Sequence, residues 1–194
     1  MQERRVIRRV VERSEAPAGR PPAIVLIDPK YAHNVGMVVR LASCYGFSQV
    51  WFTGERVSLD ISYRRRLPRE ERMKGYADVE IINYDHPFEQ FADAVPVAVE
   101  VRKSSEPLHG FEHPPNAVYV FGPEDGSVAK PHLGHCHRFV VIPTKHCLNL
   151  ATAVATVLWD RQYKGWLGGA DGEHVTPGEY EGRGLVEFPD DIVW

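Results

Sequence analysis

Three separated segments of this sequence place polar side chains where an apolar pattern would otherwise run on, and these are the residues able to do chemistry. Asn34 and Arg40 flank a window that holds Val35, Val38, Val39 and, just beyond it, Ala42. Gly36 lies one turn before Arg40 on the same helical face, and glycine there costs about 1 kcal/mol against alanine. A guanidinium beside such a gap offers a seat for a phosphate or a sugar; a surface arginine with an incidental glycine is the plainer alternative. Glu124 sits in the turn Gly122-Pro123-Glu124-Asp125-Gly126. Asn149 follows Cys147 and Leu148 and stands where an N-cap would stand. Cys147 beside His146 has the make-up of a nucleophile and its base, but nothing marks an oxyanion hole or a third residue. His132, His135, Cys136 and His137 are of metal-ligand type. Cys136 and His137 are adjacent on the way into a strand and so point to opposite faces; with no second ligand pair, no metal is expected. The sequence has neither a Gly-x-Gly-x-x-Gly after its first strand nor a Walker loop, which weakens a nicotinamide-type dehydrogenase reading.

The elements that must position these residues read as alternating strand and helix. Ala23 to Ile27 is a continuous apolar run, the pattern of a buried strand. A helix follows from about Asn34, with Val35, Val38, Val39 and Ala42 inward, and Gly46 closes it. Val50 to Thr53 is the next strand, which makes a β-α-β unit and hence a parallel sheet. Val79–Ile82 and Val95–Val101 read as strands, Pro87–Ala92 as a short helix and Ser104–Pro115 as loop. The stretch Tyr119 to Lys164 reads as strand, tight turn, second strand over Arg138–Ile142, tight loop, and a helix from Asn149. That helix carries Leu150, Val154, Val157 and Leu158 at spacings of three and four. Both strands of this stretch end in turns that bring polar groups to one sheet edge, where ligands of open α/β sheets bind.

Composition sets the outer bounds. A chain of 194 residues with 43% hydrophobic content can build one core. Its three cysteines, Cys44, Cys136 and Cys147, are unpatterned, which argues for a reducing compartment and against a disulfide framework. No apolar run reaches membrane-spanning length, and no apolar h-region follows the N-terminal arginines; a cytoplasmic protein without membrane contact is expected. The net charge of −3 is uneven: residues 165–194 carry seven acidic and one basic residue, net −6, which leaves +3 for residues 1–164. A mildly basic body with an acidic tail suits a polyanionic partner, although a solvated surface strap fits the tail as well. Residues 3–13 repeat with period four, Val6 with Val10 and Ile7 with Val11 opposite Arg4, Arg5, Arg8 and Arg9. That is an amphipathic basic helix, suited to docking or to phosphate contact. Three segments result: residues 1–22, basic helix and linker; residues 23–164, the main domain; and residues 165–194, the acidic tail. Within the main domain Arg64, Arg65, Arg66, Arg69, Arg72 and Lys74 form a charge-dense run, a solvated face or a phosphate-tracking segment.

Taken together, the three polar segments resemble the motifs of a known family. Asn34-Val35-Gly36 with Arg40, Ala42 and Gly46 resembles the first motif of the SpoU (TrmH-like) family of RNA ribose 2′-O-methyltransferases, of the SPOUT class. Phe121-Gly122-Pro123-Glu124-Asp125-Gly126 is similar to the second, and Ile142-Pro143-Thr144 with Leu148-Asn149-Leu150 to the third. Order and spacing match over roughly residues 23–164.

The resemblance implies an α/β fold: a mostly parallel, Rossmann-like sheet whose C-terminal part is threaded into a deep trefoil knot. It implies homodimers with the site near the subunit interface, S-adenosyl-L-methionine as cofactor, and RNA as partner, tRNA before rRNA because minimal members act on tRNA. Asn34, Arg40, Glu124 and Asn149 stand at the family's four polar positions. Gly122, Ile142, Cys147 and Leu148 fall in the turns that hold the cofactor, and Glu100 and Val101 end a strand where members also approach it, with Glu100 suited to ribose hydroxyls. Cys147 departs from the serine of many members, and a thiol donates hydrogen bonds less well than a hydroxyl. By this reading Arg40 is a charged clamp on the target phosphate, Asn34 and Asn149 orient it and the sugar, and Glu124 fixes the second turn. Base methylation by a SPOUT enzyme, and a cofactor-holding RNA-binding protein with little turnover, are the alternatives.

Overall fold

The computed structural model describes residues 16–57 and 78–167. The expected basic helix over residues 3–13, the run Arg64, Arg65, Arg66, Arg69, Arg72 and Lys74, and the tail beyond residue 167 lie outside the described residues.

The chain begins with β1, Ala23–Leu26, buried throughout as its unbroken apolar run requires. Helix α1, Ala32–Cys44, buries Asn34, Val35, Val38, Val39 and Ala42. It ends as glycine-closed helices do: Gly46 takes a left-handed φ of 73°, open to glycine without steric cost. Then come β2, Gln49–Phe52, and β3, Glu80–Asn83. The segment expected as a short helix is a 3-10 turn over Pro87–Gln90, with Pro87 in its first turn. Strand β4, Val95–Val99, stops two residues before its expected end. The expected loop after it contains a two-residue strand, β5, Glu106–Pro107, and a further 3-10 turn, Leu108–Gly110. Strand β6, Ala117–Phe121, is wholly buried. A four-residue helix α2, Lys130–Leu133, intervenes before β7, Arg138–Val141. Helix α3, Leu150–Leu167, completes the described chain.

The seven strands form one sheet in the order β3-β2-β1-β6-β4-β7-β5, and each pairing is parallel. Strand β7, the last of the described strands in sequence, lies between β4 and β5, both of which precede it. One core layer joins α1 and α3 to the sheet through Val35, Val38, Val154 and Val157; the other face is covered by Trp51, Phe91, Val128 and Cys136. All carboxyl strand ends therefore meet at one edge.

The opposite edge is tied down by Gln49, fully buried in β2. Its Nε2 donates to the carbonyl of Ala18 and to Glu80, at 3.2 and 2.9 Å, and its Oε1 accepts the backbone N–H of Arg20 at 2.8 Å. Gly19 donates to the carbonyl of Gln90, and a Cβ on Gly19 would lie 2.3 Å from the Phe91 ring. Residues 18–20, read from sequence as linker, are thus part of the body.

Candidate active site

Three of the four motif side chains meet in one hydrogen-bonded chain. Glu124, in the turn after β6, accepts the backbone N–H of Lys30 at 2.7 Å on one oxygen and Nδ2 of Asn34 at 2.5 Å on the other. Asn34 Oδ1 accepts Nδ2 of Asn149 at 3.1 Å. Asn149 Oδ1 in turn caps α3, accepting the N–H of Ala151 at 2.9 Å and of Thr152 at 3.4 Å. The orientation of every amide follows from one constraint: a carboxylate only accepts, so Asn34 must present its NH2 to Glu124 and its oxygen to Asn149. Burial pushes the Glu124 carboxyl up, but the hydrogen bonds from Asn34 and from backbone N–H groups outweigh it and hold the group below its ordinary value. The chain locks the ends of β1 and β6 and the starts of α1 and α3 to one another.

Beside this chain the carboxyl ends of β4, β6 and β7 open into a cleft of about 180 Å³. Glu100, Val101, Gly122, Ile142, Cys147 and Leu148 all line it, as does Glu124. Phe121, Thr144 and Leu150, which fall within the motifs without an expected cofactor role, also line it, as does Ala153, which no pattern in the sequence marks. Glu100 faces inward to the protein: its carboxylate accepts the N–H of Val101 and of Val128, each at 3.0 Å. Its expected freedom for ribose hydroxyls is reduced accordingly, because both carboxylate oxygens already accept a backbone N–H, and the one from Val128 folds the Gly122–Val128 turn back on β4. Gly122 is required by that return: a Cβ there would lie 2.8 Å from the backbone nitrogen of Val128. Thr144 bridges its own loop, donating to the carbonyl of His146 at 2.8 Å. Lys30 and Arg56 hold the same turn through ion pairs to Asp125 at 3.1 and 3.0 Å. Hydrogen bonds from Arg56 first, then Lys30, hold the Asp125 carboxyl below its ordinary value.

Arg40 is placed elsewhere. It is exposed, in line with His33, Met37 and Cys44 along the outer face of α1, and it is not among the residues lining the cleft. Six positions at about 100° each put it well round the helix from Asn34, about 9 Å further along the axis. Asn34, 1% exposed and engaged at both amide atoms, therefore does not orient Arg40 within one chain. The guanidinium belongs to the outer face of α1, apart from the cleft lining. Cys136 is buried, its thiol pushed up to about 12 by burial, while His137 is exposed. Among the described residues no group of three or more His, Cys, Asp or Glu side chains is placed to hold a metal ion. Nor is any helix among them long and apolar enough to cross a membrane.

Comparison with known proteins fits this geometry. The family model described as the SpoU rRNA Methylase family matches residues 21–159. A tRNA (cytidine-2′-O-)-methyltransferase, TrmJ of Methanocaldococcus jannaschii, is 24% identical over 159 residues, covering 71% of this chain and 66% of that protein. The chain thus spans just under two thirds of that relative's length. Among solved structures, the A. aeolicus TrmH/SpoU tRNA modifying enzyme superposes with a TM-score of 0.63 at 18% identity, over 76% of each chain. The methyltransferase AviRb from Streptomyces viridochromogenes, in complex with AdoMet, gives 0.64 at 16% identity over 75% of this chain and 61% of that one. At these identities the structural likeness is one of fold: a parallel seven-stranded α/β sheet of the SPOUT kind.

Proposed function

The chain belongs to the SpoU rRNA methylase family, and from that premise we propose that it is an S-adenosylmethionine-dependent methyltransferase acting on the ribose 2′-hydroxyl of tRNA. One observation carries the reading: six residues from three separate turns, Glu100, Val101, Gly122, Ile142, Cys147 and Leu148, line a single cleft at the carboxyl edge of the sheet. The tRNA choice rests on the TrmJ relative and the A. aeolicus enzyme, whose names state tRNA as their target.

The cleft suits the cofactor. Its walls combine apolar side chains, Phe121, Ile142, Leu148 and Leu150, with backbone groups of three turns and the carboxylates of Glu100 and Glu124. When bound there, S-adenosylmethionine supplies a methyl group already activated on a sulfonium. The protein's remaining task is positioning, which can supply much of the acceleration. Glu124, Asn34 and Asn149 hold the turns in register. Arg40 presents a planar guanidinium whose fork of donors matches phosphate oxygens. It would clamp a backbone phosphate and stabilise the developing alkoxide at the 2′-oxygen, whose proton passes to solvent water as the oxygen takes the methyl group from the sulfonium and the sulfur keeps the bonding pair. The exposed Arg40 acts from a second copy of the chain: exposed Met37 on α1, with Trp159 and Tyr163 on α3, which packs against α1, supports a homodimer through these helices. The insertion of β7 between two earlier strands supports a knotted C-terminal part. Residues 23–164 form the catalytic domain on this reading, and Arg64, Arg65, Arg66, Arg69, Arg72 and Lys74 track phosphates. Three free cysteines support a reducing, cytoplasmic setting.

The test is product analysis. Purified protein, labelled cofactor and unmodified tRNA should yield label on the ribose fragment after digestion to nucleosides. Label on a free base would replace this reading with base methylation; cofactor binding without label in tRNA or rRNA would leave a binding protein.

A further inference from the structure

A second cavity opens at the same sheet edge, beyond the Gly122–Pro131 segment from the cleft. It encloses about 440 Å³ between the ends of β1, β2 and β3 and the start of α2, a volume within the range of about 300–1,000 Å³ for small-ligand sites. The segment between them is a shared wall: Gly122, Pro123, Glu124 and Gly126 line the cleft, while Ala129 and Pro131 line the cavity. Asp28, on the cavity side, is joined to Asp125 through Arg56 at 3.3 and 3.0 Å. A polymer lying across this edge would pass over both openings.

The cavity's chemistry is unlike a phosphate seat. Among the described residues lining it there is no lysine or arginine, and Asp28, Asp85 and Glu89 contribute three carboxylates. Three imidazoles, of His86, His132 and His135, face them. The His132 ring is held below its ordinary value by burial first, then by His135 and His86, against the pull of Asp85. A neutral ring offers one donor and one acceptor. Phe88 and His135 stack at 4.9 Å and 13°, which gives the cavity a flat aromatic wall. Asp85 and Asp28 are partly committed, to the N–H of Gly54 at 3.0 Å and to Arg56; Glu89, His86 and His135 are exposed lining groups able to meet a ligand, and of these Glu89 supplies the carboxylate and His135 the stacked ring. The fitting ligand is flat, uncharged and rich in N–H donors. Resting on the RNA reading above, we propose that this cavity is a second RNA subsite, taking a nucleobase with an exocyclic amine near the methylated nucleotide. Carboxylates accept from such amines, whereas uracil offers none.

The test needs no turnover. Binding of short single-stranded homopolymers of adenylate, cytidylate and uridylate is read by fluorescence anisotropy. The wild-type protein should favour adenylate and cytidylate over uridylate by about fivefold or more, as one lost base contact implies. Glu89→Gln combined with His135→Ala, both at exposed positions, should reduce that preference to within about twofold while leaving the melting temperature in place. A preference that survives the double variant, or a wild-type protein that has none, overturns the subsite alone. Failure of all three polymers to bind overturns the subsite, while the RNA reading stands or falls separately on methyl transfer to tRNA.

Discussion

Asn149 and Asn34, 115 residues apart in the chain, are joined by a 3.1 Å hydrogen bond from Nδ2 to Oδ1. The same Asn149 side chain caps α3 through its oxygen. One residue therefore starts α3 and fastens it to α1. The two jobs separate by substitution. Asn149→Ala removes both and should cost about 1–3 kcal/mol in urea unfolding, a lost cap plus a buried carbonyl left without its donor. Asn149→Ser keeps a capping oxygen but does not reach Asn34, so it should cost less than Asn149→Ala and still more than nothing. Equal losses for the two variants would mean that the bridge to Asn34 contributes little.

The carboxylate at the other end of this chain makes stability depend on pH. The Glu124 carboxyl is held below its ordinary value of 4.5 in the folded state. The folded protein thus binds its proton less readily than the unfolded chain. The contribution is fully present above about 4.5 and is lost as pH falls through the lower folded value. Comparing wild type with Glu124→Gln in urea, the difference in midpoint should be constant above this window and shrink below it. A difference that grows on acidification would mean the folded carboxyl is raised instead.

Gly122 answers to a different constraint, the room left by its neighbour. A Cβ at this position meets the backbone nitrogen of Val128 at 2.8 Å, and that N–H is the one donated to Glu100. Backbone cannot yield as a flexible side chain does. Gly122→Ala should therefore displace the turn and weaken cofactor binding by about tenfold or more, against about twofold or less for Gly126→Ala, by calorimetry. At Gly126 the nearest atom to a Cβ is Pro123 Cγ at 3.5 Å, an ordinary contact. Equal effects of the two substitutions would show that the turn's geometry is not what holds the cofactor.

Much of this was legible in the residues, and what was not has a common cause. The spacing of Val35, Val38, Val39 and Ala42 marks the inner face of α1, and all four are buried. Asn149 reads as an N-cap and is one. Strand β5 has only two residues, too few for a period, and is fixed by its neighbours: Glu106 takes a bidentate pair from Arg138 at 2.9 and 3.0 Å. Helix α2 is likewise four residues long. The pinning of residues 18–20 depends on Gln49, whose polar side chain in an apolar strand gives no hint of its partners. The partners of Asn34 were hidden in the same way, since Glu124 and Asn149 lie 90 and 115 residues away. Local pattern reports which residues turn inward. It does not report which distant polar atom each of them meets.

Arg40 is where the sequence-derived grouping and the folded chain part company, and that separation makes a discriminating experiment. Arg40 lies on the exposed stripe of α1 with Met37, away from the cleft lining. If it serves the cleft of a partner subunit, Arg40→Ala should lower methyl transfer by more than about a hundredfold while cofactor affinity stays within about twofold, a loss confined to the transition state. Gly122→Val should do the reverse, removing cofactor binding while its Arg40 stays intact. Each variant alone should be left with little methyl transfer. Co-expressed and assembled as mixed dimers, they should recover activity, because one site in each mixed dimer then has a sound cleft from one chain and Arg40 from the other. With random pairing about a quarter of all sites are restored. An arginine acting within its own chain predicts no recovery, since each chain then lacks one half of its own site. Mixed dimers that form but stay inactive would thus move Arg40 back to its own cleft, and require α1 to shift on binding RNA.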